Sequence, residues 1–319
     1  MTEHADRPET PRTETLSRRE ALRALGWTVA SVPLVSTLAC GGSGGSDDDA
    51  GFGTDSGSGS DASEGVDASS DDASTPTGWA TGGTASIVDA DAYPDPFVAG
   101  SSACALTCQA TIGPCHTTSP ERADVSDGWD GLPVRLALKV VDESCTPIEN
   151  AIVEIWHTNY RGIYSGRIST MCNSDEEDRA AAYFRGYVRT DAEGRVDFDT
   201  VFPGWYSGRC VHIHFRIQMG SYDGADSASS TLVSQLFFPD ELVRSIFAGE
   251  PLYDGYGTPD TFLGDDNVVG GEEDPSPYVC DVARMSDGVM LASKTIVILS
   301  SSGSLCTMSG AGGGGMPPR

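Results

Sequence analysis

The sequence predicts an all-β fold, an antiparallel β-sandwich with one short helix and long loops. Apolar residues recur with period two in several short runs, turn-forming clusters separate those runs, and a single stretch carries helix punctuation. In chain order, Val134, Leu136, Leu138 and Val140 alternate with Arg135 and Lys139, as on a strand with one buried face. After the turn signal Thr146-Pro147 comes a second strand, Ala151-Ile152-Val153-Glu154-Ile155-Trp156. Strands over 183–190 and 195–201 flank Asp191-Ala192-Glu193-Gly194, a hairpin loop whose glycine suits a positive φ. Further strands fall at 211–217, 232–238 and 289–299. The helix covers 241–248, with Asp240 as N-cap and Gly249 as its stop.

The segments outside these elements have compositions of their own. Residues 1–40 contain Ser17-Arg18-Arg19 ahead of a short apolar run, resembling a twin-arginine export signal. The run holds Gly26 and Pro33 and is too short and broken to span a bilayer. It ends in Thr37-Leu38-Ala39-Cys40, which resembles a bacterial lipobox, with threonine where leucine is usual. The expected location is therefore exported, periplasmic or at the cell envelope, with a possible lipid anchor on Cys40. Residues 41–90 hold ten acids and no Lys or Arg in a Gly/Ser/Asp background. Such a segment cannot bury enough apolar surface to offset its ordering entropy and reads as a disordered tether. The domain is expected over 91–306, followed by a flexible tail over 307–319. A net charge of −27 argues against nucleic acid as a partner, because a phosphate backbone would be repelled.

With Cys40 set aside, eight cysteines remain, an even number that suits disulfides in an exported protein without fixing their pairing. A zinc site is disfavoured: Cys104 and Cys108 stand four apart, but no second Cys/His pair follows at finger-like distance.

The chemistry concentrates in Phe202-Pro203-Gly204-Trp205-Tyr206-Ser207-Gly208-Arg209-Cys210-Val211-His212-Ile213-His214. On a strand His212 and His214 project from one face, while Val211, Ile213, Phe215 and Ile217 face the core. Two imidazoles a pleat apart can grip one metal ion. Tyr206 lies behind a Pro-Gly turn able to fold it over the same face, and Tyr164 follows the 151–156 strand. A phenol of pKa about 10 ligates only when ionised, which a hard, strongly Lewis-acidic ion such as Fe(III) achieves and zinc or magnesium rarely does.

Three stretches together are diagnostic: Ala151-Ile152-Val153-Glu154-Ile155-Trp156-His157-Thr158-Asn159, the Gly-x-Tyr-Ser element at 162–165, and the Pro-Gly-Trp-Tyr…Arg-x-x-His-x-His run at 203–214. With Thr190-Asp191-x-x-Gly194 they resemble the intradiol ring-cleavage dioxygenases, nearest the iron-bearing β-chain of protocatechuate 3,4-dioxygenase and its single-chain relatives, over about residues 100–300. The resemblance implies non-haem Fe(III) held by Tyr164, Tyr206, His212 and His214. It implies that Arg209 stabilises anionic charge on the substrate ring and that Gln235 stands behind the ligands. The implied reaction takes a catechol and O2, with Tyr206 releasing the metal as substrate binds and accepting a proton, to a cis,cis-muconate-type product. No N-terminal helical dimerisation segment is expected, which sets the chain apart from the catechol and hydroxyquinol branches.

His116 is read as a loop hydrogen-bonding residue, His157 as a satisfied structural histidine and Cys210 as a disulfide half or packed thiol. The reading from another class is an exported β-sandwich binding or adhesion module that keeps the scaffold without catalysis. An Fe(II) extradiol enzyme would need a carboxylate beside the two histidines, and no motif supplies one.

Overall fold

The computed structural model describes residues 78–98, 104–224, 230–299 and 305–310. The export signal, Cys40 and most of the expected tether lie outside the described residues, as do 311–319 of the tail. Among the described residues eight strands make two four-stranded sheets. One has the order β4(Arg195–Val201), β1(Pro133–Asp142), β8(Met290–Ile298), β7(Asp281–Arg284). The other has the order β3(Arg185–Arg189), β2(Ile152–Trp156), β5(His212–Gln218), β6(Ser230–Phe237).

Both sheets contribute to one apolar core. Val134, Leu136, Leu138 and Val140 of β1 and Phe198 of β4 meet Val153 and Ile155 of β2 and Ile213, Phe215 and Ile217 of β5. The period-two alternation is thus realised as drawn from the sequence, in a sandwich-like pair of sheets.

Four expectations need correction. The sheets are not purely antiparallel, since β1 and β8 run parallel, Val134 opposite Met290 through Asp142 opposite Ile298. Strands so distant in sequence are not joined by a hairpin, so local turn geometry imposes no antiparallel pairing. The Asp191–Gly194 turn is tight, with Gly194 at φ 71° donating to the Asp191 carbonyl at 3.0 Å. It is not a hairpin, however: β3 pairs with β2 and β4 with β1, so the turn passes between the sheets. Among the described residues three short α-helices stand where one was expected: α1(Glu176–Ala180), α2(Asp240–Gly249) and α3(Pro251–Asp254). Asp240 is the first residue of α2 rather than its cap, and its carboxylate instead accepts from the Leu263 N–H at 3.1 Å.

The domain also reaches beyond its expected limits. Ala80 N–H donates to the Gly288 carbonyl at 2.8 Å and Gly83 N–H to that of Gly131 at 2.9 Å, so residues from 78 on belong to the fold rather than to the tether. At the other end Met308 is buried.

Six cysteines pair as Cys104–Cys145, Cys108–Cys306 and Cys115–Cys172. Cys210 and Cys280 are buried thiols, which settles Cys210 as the packed alternative. Cys104 and Cys108 belong to different disulfides, so neither is a zinc ligand.

Candidate metal centre and active site

The site is built on the face of the second sheet that points away from the shared core. On β5 the residues between the core-facing Ile213, Phe215 and Ile217 are His212, His214 and Arg216. Trp156 of β2 pairs with His214, and His214 pairs with Gln235 of β6, so these three form one row across the sheet. Loops on either side bring the other groups in.

Two of those loops carry the tyrosines, and they pass each other backbone to backbone. Gly204 N–H donates to the Asn159 carbonyl at 3.0 Å, and the Thr158 hydroxyl to the Gly204 carbonyl at 2.8 Å. Gly162, at φ 79°, lies so close that a Cβ there would sit 2.0 Å from the Trp205 carbonyl oxygen. The absent side chain lets the Tyr164 loop reach the Tyr206 loop.

Tyr164, Tyr206, His212 and His214 therefore converge. Tyr164 Oη lies 3.2 Å from His212 Nε2 and 3.5 Å from Tyr206 Oη. Tyr206 Oη is 3.3 Å from His212 Nε2, which is 3.2 Å from His214 Nε2. Bonds of about 2.1 Å meeting at 90–120° place neighbouring donors about 3.0–3.6 Å apart, so these spacings suit a single metal ion.

The surroundings set the protonation states. His212 Nδ1–H donates to the Cys210 carbonyl at 2.7 Å, which turns the bare Nε2 toward the cluster. Burial lowers His212 to about 3, with the nearby Arg209 charge adding to it. Burial likewise holds His214 well below the usual imidazole range, and His212 and Arg209 push in the same direction. Both rings are neutral, as ligands must be. His214 Nδ1 has no hydrogen-bond partner among the described residues, and the ring is held by stacking on Trp156 at 4.9 Å.

The phenols are pushed the other way. Burial raises Tyr164 well above the ordinary value, and it raises Tyr206 against the opposing pull of Arg209. Neither phenol ionises without a strong cation beside it. Among the described residues no three His, Cys, Asp or Glu side chains gather to hold a metal, so a metal at this face relies on the phenols. Glu154 shares the face, but its carboxylate accepts from Ser119 (2.6 Å) and Tyr222 (2.8 Å), is ion-paired with Arg216 (2.6 Å) and faces His116 at 3.3 Å. Burial raises the Glu154 carboxyl, and these partners more than offset it, holding it below the usual range.

Arg209 is buried beside the cluster. Its Nη2–H donates to Gln235 Oε1, and its Nε–H to Asp266 Oδ2 at 2.9 Å. Both residues predicted to assist the ligands are thus bound to each other, while Asp266 was not anticipated. It stands in a turn without periodicity, and no motif marks it. His116 bonds to Glu154 and lies edge-on to Trp156 at 4.6 Å, as expected of a loop residue. His157 is fully buried and satisfied: Nδ1–H donates to the Thr158 carbonyl at 2.8 Å, and Nε2 accepts from Thr200 at 2.7 Å.

Comparison with known proteins agrees with this architecture. The profile of a family described as Dioxygenase matches residues 113–210, a span holding Tyr164, Tyr206 and Arg209 and ending two residues before His212. The chain is 33% identical over 124 residues to the protocatechuate 3,4-dioxygenase beta chain of Burkholderia cepacia, covering 37% of this chain and 48% of that one. It is 36% identical over 90 residues to catechol 1,2-dioxygenase 2 of Acinetobacter lwoffii, covering 28% and 30%. The chain thus spans about half the length, or less, of these curated relatives. The fold is similar to that of an intradiol ring-cleavage dioxygenase from Tetranychus urticae, with a TM-score of 0.52 and 24% identity over 63% of this chain and 98% of that one. The shared architecture is a two-sheet β domain. The resemblance read from the sequence stands alongside it: over part of its length the chain is similar to intradiol ring-cleavage dioxygenases.

Proposed function

We propose that the protein is a non-haem Fe(III) dioxygenase that cleaves a catechol between its two hydroxyl-bearing carbons with O2, giving a cis,cis-muconate-type product. The observation that carries this reading is the convergence of Tyr164, Tyr206 and His214 on His212 Nε2, each with a donor atom 3.2–3.3 Å from it, the two phenol oxygens lying 3.5 Å apart. These four would hold the iron. A bound ferric ion supplies the Lewis acidity that ionises the phenols and the catechol and makes the ring electron-rich toward O2. Tyr164 is 1% exposed and has no room to leave, whereas Tyr206 is only half-buried. Tyr206 is therefore the phenol free to turn outward as substrate enters and to take a catechol proton on its Oη. The Arg209 guanidinium, fixed beside the site, stabilises negative charge that develops on the substrate. Gln235 holds that guanidinium from the β6 side. The wall formed by Trp156, Ile168, Val233 and the Cys115–Cys172 disulfide offers an apolar surface to an aromatic ring.

A non-catalytic binding module would leave the four-donor cluster and the Arg209–Gln235 pair without a purpose. Export is supported by the three disulfides, which persist in oxidising compartments. We extend the same reading to the leader and to attachment through Cys40.

The test is oxygen uptake and muconate absorbance by the iron-loaded full chain against a panel of catechols. Equimolar O2 consumption and muconate formation with at least one catechol is expected. Absence of turnover across the panel by protein carrying ferric iron would overturn the proposal.

A further inference from the structure

A buried guanidinium needs a counter-charge, and here it comes from outside the residues that motifs mark. Asp266 follows the turn at 263–265, and its side chain is fully buried against an Arg209 side chain that is 3% exposed. All its acceptor capacity is committed. Oδ2 accepts from Arg209 Nε at 2.9 Å and from the Cys210 N–H at 2.9 Å. Oδ1 accepts from the Val268 and Val269 N–H groups at 2.8 and 3.2 Å. One carboxylate thereby ties a rigid turn to Arg209 and to the backbone two residues before His212.

We propose that Asp266 is a positioning residue that fixes the direction in which Arg209 presents its guanidinium to the anionic catechol, an inference that rests on the ring-cleavage reading above. With Nε given to Asp266 and Nη2 to Gln235, the plane of the guanidinium is set from two sides. Nη1 is left as the nitrogen that neither residue takes. Gln235 alone, a single neutral acceptor whose own Nε2 reaches the Thr111 carbonyl at 3.4 Å, would leave the plane free to swing about that one bond. Charge-assisted bonds of this kind are about twice as strong as neutral ones. The anchor is itself held: Val268 and Val269 pack with Phe237, Tyr278 and Met308.

Asparagine cannot replace this arrangement. An amide offers one oxygen and one NH2, so it can face the Arg209–Cys210 donors or the Val268–Val269 donors but not both. The test uses the full chain loaded with ferric iron and 4-nitrocatechol as probe, titrated by absorbance under argon so that no turnover intervenes. Asp266→Asn and Arg209→Gln are each expected to weaken probe binding tenfold or more, with the visible band of the ligand-free ferric protein unchanged. The double variant is expected to lie within twofold of the weaker single one, because both substitutions disable the same group. Unchanged binding in Asp266→Asn, losses that multiply in the double variant, or disappearance of the ferric band in Asp266→Asn would each overturn the proposal. Should Asp266→Asn fail to fold, Asp266→Glu keeps the charge but moves it by one methylene. Severalfold weaker binding is expected there, and wild-type binding would overturn the positioning role. If the unsubstituted ferric protein neither binds the probe nor cleaves catechols, it is the ring-cleavage reading that fails. If it does both and Asp266→Asn matches it, only this inference fails.

Discussion

The four described histidines show how far local surroundings, rather than residue type, decide a role. His212 and His157 are both buried and both donate from Nδ1 to a main-chain carbonyl. His212 turns its bare Nε2 toward two phenols, whereas the Nε2 of His157 is taken by Thr200. One is free to ligate and the other is structural. His157 has a measurable consequence for stability. Burial lowers it to about 4 from 6.5. Below pH 6.5 the unfolded chain gains a proton that the folded protein refuses, so stability falls as pH drops from 6.5 to about 4 and is level above that window. The contribution is about 3 kcal/mol from the difference in proton affinity. Urea unfolding of the ferric protein and of His157→Gln across this range should show a shallower pH slope in the variant. Parallel curves would mean that His157 is not held neutral.

At the scale of the element, the site depends on strands for direction and on loops for closure. β5 needs nothing but its pleat to aim His212 and His214 together, and that was legible from the His-x-His spacing. The crossing of the two tyrosine loops was only half legible. The Pro-Gly signal at 203–204 announced a turn, yet the contact between Gly162 and the Trp205 carbonyl depends on tertiary approach, which sequence spacing does not encode. Gly162→Ala must push the loops apart or bend them, besides straining a residue at φ 79° by about 1–2 kcal/mol. We expect the variant to retain its strand circular dichroism and to bind ferric iron at least tenfold more weakly. Wild-type iron affinity in Gly162→Ala would show that the close crossing does not place the phenols. Strand pairing was equally hidden: the alternation in β1, β2, β4 and β5 told which face is buried but not which neighbour each strand takes. Hence β4 was expected beside β3 and lies beside β1, and the parallel β1–β8 pair carries no local signal. Asp266 escaped for a similar reason, since a lone aspartate in a turn acquires meaning only when Arg209 is brought to it.

At the scale of the domain, one sheet supplies the platform and the other supplies the apolar backing packed against it. The core between them fixes Ile213 and Phe215, and so fixes the opposite face of the same strand. The disulfides act at the edges of this frame. Cys108–Cys306 ties the chain's late segment to the strip that leads into Thr111 and Gly113, and Cys115–Cys172 ties that strip to the loop after Tyr164. A Cβ at Gly113 would lie 3.2 Å from His214 Cε1, so the strip closes directly over that imidazole. The sequence had indicated oxidised cysteines and the four metal-binding candidates as separate features, and the fold brings the disulfide-tied strip against His214. The central claim, four side chains on one ferric ion, is tested most directly by the visible absorption and iron content of the purified chain after ferric reconstitution, beside Tyr164→Phe and Tyr206→Phe. The account predicts a single equivalent of iron with a tyrosinate-to-iron charge-transfer band, weakened in each variant. A colourless protein, or a band that survives both substitutions unchanged, would contradict it.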